Sequence, residues 1–220
     1  MGKLIVIEGL DGSGKSTQLD ILTEKLQNEG LNCKSVSFPA YENPACTPVK
    51  MYLAGEFGSK PDDVNAFAAS TFYAVDRFAS FKQNWGNFYN EGGIVTAGRY
   101  VTSNAVHQCS KMPKEKWESF LNWLYDFEYV KMGIPKPDKV IFLDMPIEVS
   151  QKLLTNRYGG QEDKKDIHER DTEYLAKCRE AAVFTAKYSN WHIIPCSENG
   201  LPRSIEDIAL DVLKAVKEVL

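Results

Sequence analysis

The sequence carries no basic excess and no long apolar run. Lys and Arg number 26 against 30 Asp and Glu, a formal net charge of −4. That balance argues against a chain whose main task is gripping nucleic-acid phosphates, while leaving room for local basic pockets. No stretch approaches the roughly 20 apolar residues of a membrane span, so neither nucleic acid nor a membrane is an expected partner. The five cysteines (Cys33, Cys46, Cys109, Cys178 and Cys196) are odd in number and far apart, without C-x-x-C or Cys/His zinc spacing. That pattern fits a reducing cytoplasm. The opening "MGKLIVIEG" has no small-residue cleavage site, and its Met-Gly start lacks the Ser or Thr that a myristoylation signal needs at the sixth position. Internal repeats, low-complexity tracts and Pro/Gly/Ser linkers are missing too.

What is present suffices for a full core. A length of 220 residues with 43% hydrophobic content suits one domain over residues 1–220. Short apolar runs at 3–9 (KLIVIEG), 34–39 (KSVSFP), 92–98 (GGIVTAG), 139–146 (KVIFLDMP) and 191–197 (WHIIPCS) read as strands covered on both faces. Between them, Leu19, Leu22 and Leu26 recur at helical spacing up to a stop at Gly30, and residues 61–89 form a long aromatic-rich segment. Residues 114–133 read as an apolar-faced helix ending at Gly133. Ile205, Ile208, Val212 and Val216 form a C-terminal stripe, capped by Ser204 with Asp207 closing its capping box. Strands alternating with helices predict an open three-layer α/β fold with a five-stranded parallel sheet. The polar run NRYGGQEDKKDIHERD at 156–171 reads either as a solvated loop or as a lid.

Within "VIEGLDGSGKSTQ", Gly9-x-x-x-x-Gly14-Lys15-Ser16 has the spacing of a phosphate-binding loop, set between a strand and a helix. Glycines let backbone N–H groups turn inward around phosphate oxygens, and the helix N-terminus adds positive potential. Lys15 then reaches the outer phosphates, and the Ser16 hydroxyl is placed to ligate magnesium. The nucleotide-binding set is Gly9, Gly12, Ser13, Gly14, Lys15, Ser16 and Thr17. A switch-type GTPase would need a guanine-reading N-K-x-D segment, which is absent, and the glycine spacing is not the G-x-G-x-x-G of dinucleotide binders.

Further segments extend the match. "IEGLDGSGKSTQ", "FP" at Phe38 and Pro39, "FYAVDR" at 72–77, "GRYVTSNAVHQ" at 98–108 and "GIPKPDKVIFLDMP" at 133–146 follow one another in the order of the thymidylate kinase family of nucleoside monophosphate kinases, which the chain resembles. The resemblance implies a P-loop NTPase fold with a helical lid at about 157–170. It also implies transfer of the ATP γ-phosphate to dTMP, with magnesium, and a homodimer formed through the helices after the second strand. Carried over residue by residue, it gives Lys15, Asp11, Arg99 and Arg170 as candidate catalytic groups. Arg77 and Arg99 would grip the acceptor phosphate, with an Arg77–Asp76 ion pair as the competing reading. Tyr73 would stack on the base beside Phe38 and Pro39; Ser103, Asn104 and Gln108 would meet the pyrimidine edge; Arg157 would pack against adenine. Glu8 would serve either the metal's outer shell or local hydrogen bonding.

Four positions depart from the family pattern. Gly98 stands in place of the Asp of D-R-Y, Tyr41 near the arginine of F-P-x-R, Gly12 in place of a loop arginine, and Ile167 where some members carry a lid arginine. A phosphoryl transition state needs cations around it. The lid offers Lys164, Lys165 and Arg170, of which "IHER" favours Arg170. The departures leave two alternatives open: a kinase for another nucleoside monophosphate, and a kinase-fold nucleotide-binding or regulatory protein with weak activity.

Overall fold

In the computed structural model, which describes residues 1–58, 60–157 and 172–220 (without the side chains of 61, 156, 157, 172 and 173), the first strand is β1 (Lys3–Gly9). Leu4, Ile5, Val6 and Ile7 have no exposed surface. A strand apolar at consecutive positions must be covered on both faces, because successive side chains point to opposite sides.

The cover comes from two helical layers. On one face Ile5, Ile7, Ile141, Leu143 and Ile194 pack with Leu19, Leu22 and Leu26 of α1 (Lys15–Asn28). On the other, Leu4, Val6, Val95, Ala97 and Phe142 meet an aromatic-rich layer. That layer is built from α3 (Ala66–Ser80), α5 (Val101–Cys109), α6 (Trp117–Tyr125) and α8 (Thr172–Tyr188). Between the first two sheet strands and α3 lies a short α2 (Thr47–Leu53), and α4 (Gly86–Asn90) precedes the third strand.

The sheet has the order β2-β3-β1-β4-β5, with β2 (Cys33–Ser37), β3 (Ile94–Gly98), β4 (Lys139–Asp144) and β5 (His192–Pro195), and every pairing is parallel. From β1 the chain crosses to the edge strand β2, returns to β3 beside β1 and then crosses to β4. The connections leaving the adjacent β1 and β3 run in opposite directions, which makes their carboxyl ends a topological switch point, where open α/β sheets hold their ligands. Register puts Ile7 beside Gly98 and Gly9 beside Leu143. The phosphate loop and the start of α5 are thereby brought to the same edge.

All five expected strands form, with ends trimmed where the sequence run had continued. β2 stops at Ser37, leaving Phe38 and Pro39 in the loop above the sheet. β4 stops at Asp144; Pro146 O then receives the amides of Val149 and Ser150 as α7 (Ile147–Arg157) begins. The segment at 61–89 is helical from Ala66 onward and passes through a wider turn at Phe81–Trp85 into α4. The segment at 114–133 is α6 followed by a similar wider stretch, Asp126–Lys131. The C-terminal helix α9 (Ile205–Lys217) is capped as its sequence predicts, with Asp207 N donating to Ser204 Oγ at 3.0 Å. The expected strand end at 196–197 instead starts a small antiparallel hairpin, β6 (Ser197–Glu198) with β7 (Leu201–Pro202). Among the described residues, no helix is long and apolar enough to cross a membrane.

Candidate active site

The loop from Gly9 to Lys15 joins β1 to α1, with Gly14 in the left-handed region (φ 85°) and no side chain capping the helix. The first amides of α1 are therefore left for a ligand, at the positive end of its dipole. Ser16 and Thr17 are exposed there. Ser13 Oγ is buried inside the loop with no hydrogen-bond partner among the described residues. Gly12 also has positive φ (77°), and a Cβ there would meet Ser150 O at 2.8 Å and Leu154 Cγ at 3.0 Å. The packing of α7 therefore excludes a loop arginine at this position.

Lys15 lies across the loop, donating to Leu10 O at 2.7 Å with Asp11 Oδ1 3.6 Å away. Burial, then Arg99, lowers its ammonium to a pKa of about 8, although Asp11 and Glu8 oppose the shift. Asp11 turns out of the loop and bonds Arg99 Nη2. Burial alone would raise this carboxyl; Arg99, followed by Lys15 and His107, overcomes it and holds Asp11 well below the usual carboxylate range.

Arg99 itself sits at φ 65°, a conformation that costs a non-glycine residue on the order of 1–3 kcal/mol. Its amide is tied to Ile7 O at 3.3 Å, and its Nη1 lies 3.2 Å from His107 Nε2. The strain is placed where a guanidinium must leave the sheet edge and reach the loop. Just before it, a Cβ on Gly98 would come within 2.9 Å of Leu19 Cδ2, so the close approach of α1 leaves no room for the family carboxylate unless Leu19 moves.

From the Asp11–Arg99 junction a cavity of about 150 Å³ runs away from the loop. Phe38, Pro39 and Tyr73 line it, joined by Tyr41, Tyr52 and Tyr174. Its far end is polar and buried: Arg77, Asn104 and Gln108 are 2–3% exposed. Arg77, expected to grip the acceptor phosphate, is instead engaged within the protein. Its Nε and Nη2 donate to the two carboxylate oxygens of Glu128 at 2.7 and 2.6 Å, and Nη1 reaches Tyr100 O at 3.3 Å. Asp76 is not its partner, because that carboxylate accepts from Ala40 N at 2.9 Å. Asn104 Nδ2 donates to Ser70 O and to Glu128 Oε1 at 3.2 and 3.3 Å. Gln108 Oε1 is buried with no partner among the described residues.

Two other expectations change in detail. Ser103 lines the cavity, but its hydroxyl donates to Glu8 Oε2 at 2.7 Å rather than pointing at a base edge. Glu8 also accepts from Thr102 Oγ1 at 2.7 Å and Gly9 N at 3.0 Å. Of the two readings for Glu8, local hydrogen bonding is the one the structure shows. Sequence reasoning missed Glu128, His107 and Tyr174; the visible signal for Glu128 was an acid flanked by Phe127 and Tyr129 in "YDFEYV".

A phosphate loop joined through Asp11 and Arg99 to an aromatic cavity invites comparison with known proteins. The family model described as thymidylate kinase matches residues 7–207. This chain belongs to the thymidylate kinase family. A probable thymidylate kinase of Pyrobaculum aerophilum is 27% identical over 216 residues, covering 98% of this chain and 97% of that protein. The thymidylate kinase of Mycobacterium tuberculosis is 30% identical over 176 residues, 77% of this chain and 79% of the relative. The structure of a thymidylate kinase from Candida albicans has the same fold, with a TM-score of 0.72 at 23% identity over 99% of this chain and 92% of that one.

Within that family frame, Lys164, Lys165 and Arg170 lie outside the described residues, as does the side chain of Arg157. Among the described residues no group of three or more His, Cys, Asp or Glu side chains is arranged to hold a metal ion. The donor set nevertheless fits magnesium, which binds through few protein oxygens and completes its shell with water and phosphate. Ser16 is exposed at the start of α1, and Asp11 supplies a carboxylate beside Lys15.

Proposed function

We propose that this thymidylate kinase family member transfers the γ-phosphoryl group of ATP to dTMP, giving dTDP and ADP. The single observation that carries the reading is the Asp11–Arg99 junction, where the phosphate loop and the base-sized cavity share one wall. A triphosphate on the α1 amides and Lys15 would direct its terminal phosphorus toward Arg99. A monophosphate lying along the cavity would bring its phosphate to the same guanidinium. The bond from the γ-phosphorus to the β,γ-bridging oxygen breaks as an oxygen of the acceptor phosphate forms the new one.

Such a reaction asks the protein mainly for in-line placement and cations. Lys15 exchanges Leu10 O for phosphate oxygens, Arg99 presents its remaining N–H groups to the acceptor phosphate, and Asp11 holds Arg99 in place. Arg170 is the proposed cation on the transferred group, with Lys164 and Lys165 as its rivals. Magnesium, held by Ser16 and through water by Asp11, would neutralise charge between the terminal phosphates. At the far end, the base would stack on Tyr73 beside Phe38 and Pro39. Its oxygens would face donors already oriented by Glu128, namely Arg77 and Asn104, with Gln108 beside them. Arg157 is assigned to adenine.

The same reading places the chain in the cytoplasm as a homodimer. The interface assigned by the family resemblance would involve α3, where Phe67 and Val75 are 44% and 46% accessible. The test of function is coupled ADP release with ATP, magnesium and, in turn, dTMP, dUMP, dCMP, dGMP and thymidine. Fastest turnover with dTMP is expected. Preference for another monophosphate would reassign the acceptor, and ATP binding without turnover of any would make the protein a binding module.

A further inference from the structure

We propose that His107 is a positioning residue for the acceptor-phosphate clamp: as a neutral imidazole it accepts a hydrogen bond from Arg99, and its protonation releases that guanidinium. The inference rests on the reading that Arg99 meets the acceptor phosphate, and goes beyond it by assigning a pH-sensitive support to that arginine.

The geometry fixes the tautomer. A guanidinium nitrogen can only donate, so His107 Nε2, 3.2 Å from Arg99 Nη1, must present its lone pair. The ring proton then belongs to Nδ1, which faces the Tyr174 hydroxyl at 3.3 Å and Cys178 Sγ at 3.7 Å. Both partners stand on α8, and the Tyr174 ring lies nearly parallel to the imidazole, at 23°. Cys178 is anchored in turn by Ser110 Oγ at 3.4 Å. The imidazole is therefore held from one side by α8 while it holds Arg99 on the other. Asp11 grips the second guanidinium nitrogen, so the two supports together orient the strained Arg99 and leave its other N–H groups for a ligand.

A second ring proton would turn the Nε2 contact into two opposed donors and set two cations 3.2 Å apart. Among the described residues, the titratable and charged groups around the ring are Asp11 and Lys15 from the phosphate loop, Glu8 from β1, and Arg99. Tyr174 and Cys178 face it from α8, and Tyr73 and Arg77 of α3 and Tyr52 of α2 line the same cavity. Asp11 is already paired with Arg99 and Lys15, and Glu8 with Thr102 and Ser103. Asp11 would attract an imidazolium through space, but it cannot restore the lone pair at Nε2 that Arg99 Nη1 needs.

The test compares kcat/KM for dTMP between pH 5.5 and 8.5 in the wild type and in His107→Gln, whose amide oxygen can accept from Arg99 but does not titrate. The acceptor phosphate also titrates near pH 6, and the wild-type to variant ratio cancels that ionisation. The wild-type to variant ratio should fall severalfold as the pH drops from 7.5 to 5.5, through KM for dTMP, with KM for ATP unmoved. His107→Phe, which cannot accept, should raise KM for dTMP roughly tenfold or more even at pH 8. Independently of any variant, the ¹⁵N shifts of His107 in the wild type should report the Nδ1–H tautomer at pH 8. A ratio that stays flat or rises toward acid, or an Nε2–H tautomer, overturns the proposal. Absence of dTMP turnover in wild type and variant alike overturns the acceptor assignment, and this inference with it.

Discussion

Replacing Glu128 by Gln should destabilise the protein severely while leaving its shape almost unchanged. Glu128 and Arg77 have side-chain exposures of 0% and 2%, and the carboxylate takes two hydrogen bonds of 2.6 and 2.7 Å from the guanidinium. Removing one member of such a pair strands the other charge in a medium that cannot solvate it, which typically costs about 3–5 kcal/mol. The substitution also weakens the Asn104 contact at 3.3 Å, so the loss should fall in the upper half of that range. For a chain of this size 1 kcal/mol corresponds to roughly 2–4 °C in Tm, which predicts a fall of about 8–20 °C. Urea unfolding should show a matching drop in midpoint at unchanged m-value. The double variant Arg77→Met/Glu128→Leu, which removes both charges, should recover much of the loss, because the penalty lies in the unpaired ion rather than the missing attraction. A Glu128→Gln protein within about 2 °C of wild type, or a double variant no better than the single one, would refute the reasoning.

Lys15 carries a second prediction, since its pKa is lowered from 10.5 to about 8: kcat/KM for ATP, which reports on the free enzyme, should decline above about pH 8, and a profile flat to pH 10 would contradict the buried setting. The sign for stability is opposite. Between those pH values the unfolded chain binds the extra proton, so the Lys15 contribution to stability rises with pH, by about 3 kcal/mol at most, and the stability difference between wild type and Lys15→Met should vary across that window. Gly12→Arg should not supply the family's loop cation: with φ at 77° and Ser150 O 2.8 Å from the new Cβ, it should cost about 1–3 kcal/mol and lower ATP affinity, whereas a stable and faster variant would show that α7 yields. Arg170→Ala should reduce kcat by about 10³-fold or more with little change in KM for ATP; unchanged turnover would move the assignment to Lys164 or Lys165.

The parts of this molecule that were legible in its sequence are those governed by short-range pattern. A short, β-branched apolar run such as that of β1 fits a strand covered on both faces, and the Gly9-to-Ser16 spacing is met by a narrow set of loop conformations. What escaped notice depends on partners far away in the chain. Arg77 reads as a grip on the acceptor phosphate, or as a partner of Asp76, until Glu128, fifty-one positions later, is seen beneath it. His107 passes unremarked within "GRYVTSNAVHQ" and gains meaning only from Arg99 on one side and Tyr174 on the other. Gly12 looked like a missing cation, whereas the pressure of Ser150 and Leu154 makes it a steric requirement. Glu8 had two open readings at the end of its strand, and the hydroxyls of Thr102 and Ser103, which supply the local hydrogen bonding, arrive from α5. Only the wider turns inside the aromatic helices, at Phe81–Trp85 and Asp126–Lys131, had no signal that we can name in physical terms.

The most direct test of the account is a crystal structure with dTMP and a non-hydrolysable ATP analogue bound together with magnesium. The account predicts the triphosphate on the α1 amides and Lys15, the acceptor phosphate within hydrogen-bond distance of Arg99, and the thymine against Tyr73 with its oxygens toward Arg77 and Asn104. A monophosphate seated away from Arg99, or a triphosphate that leaves Lys15 on Leu10 O, would contradict it.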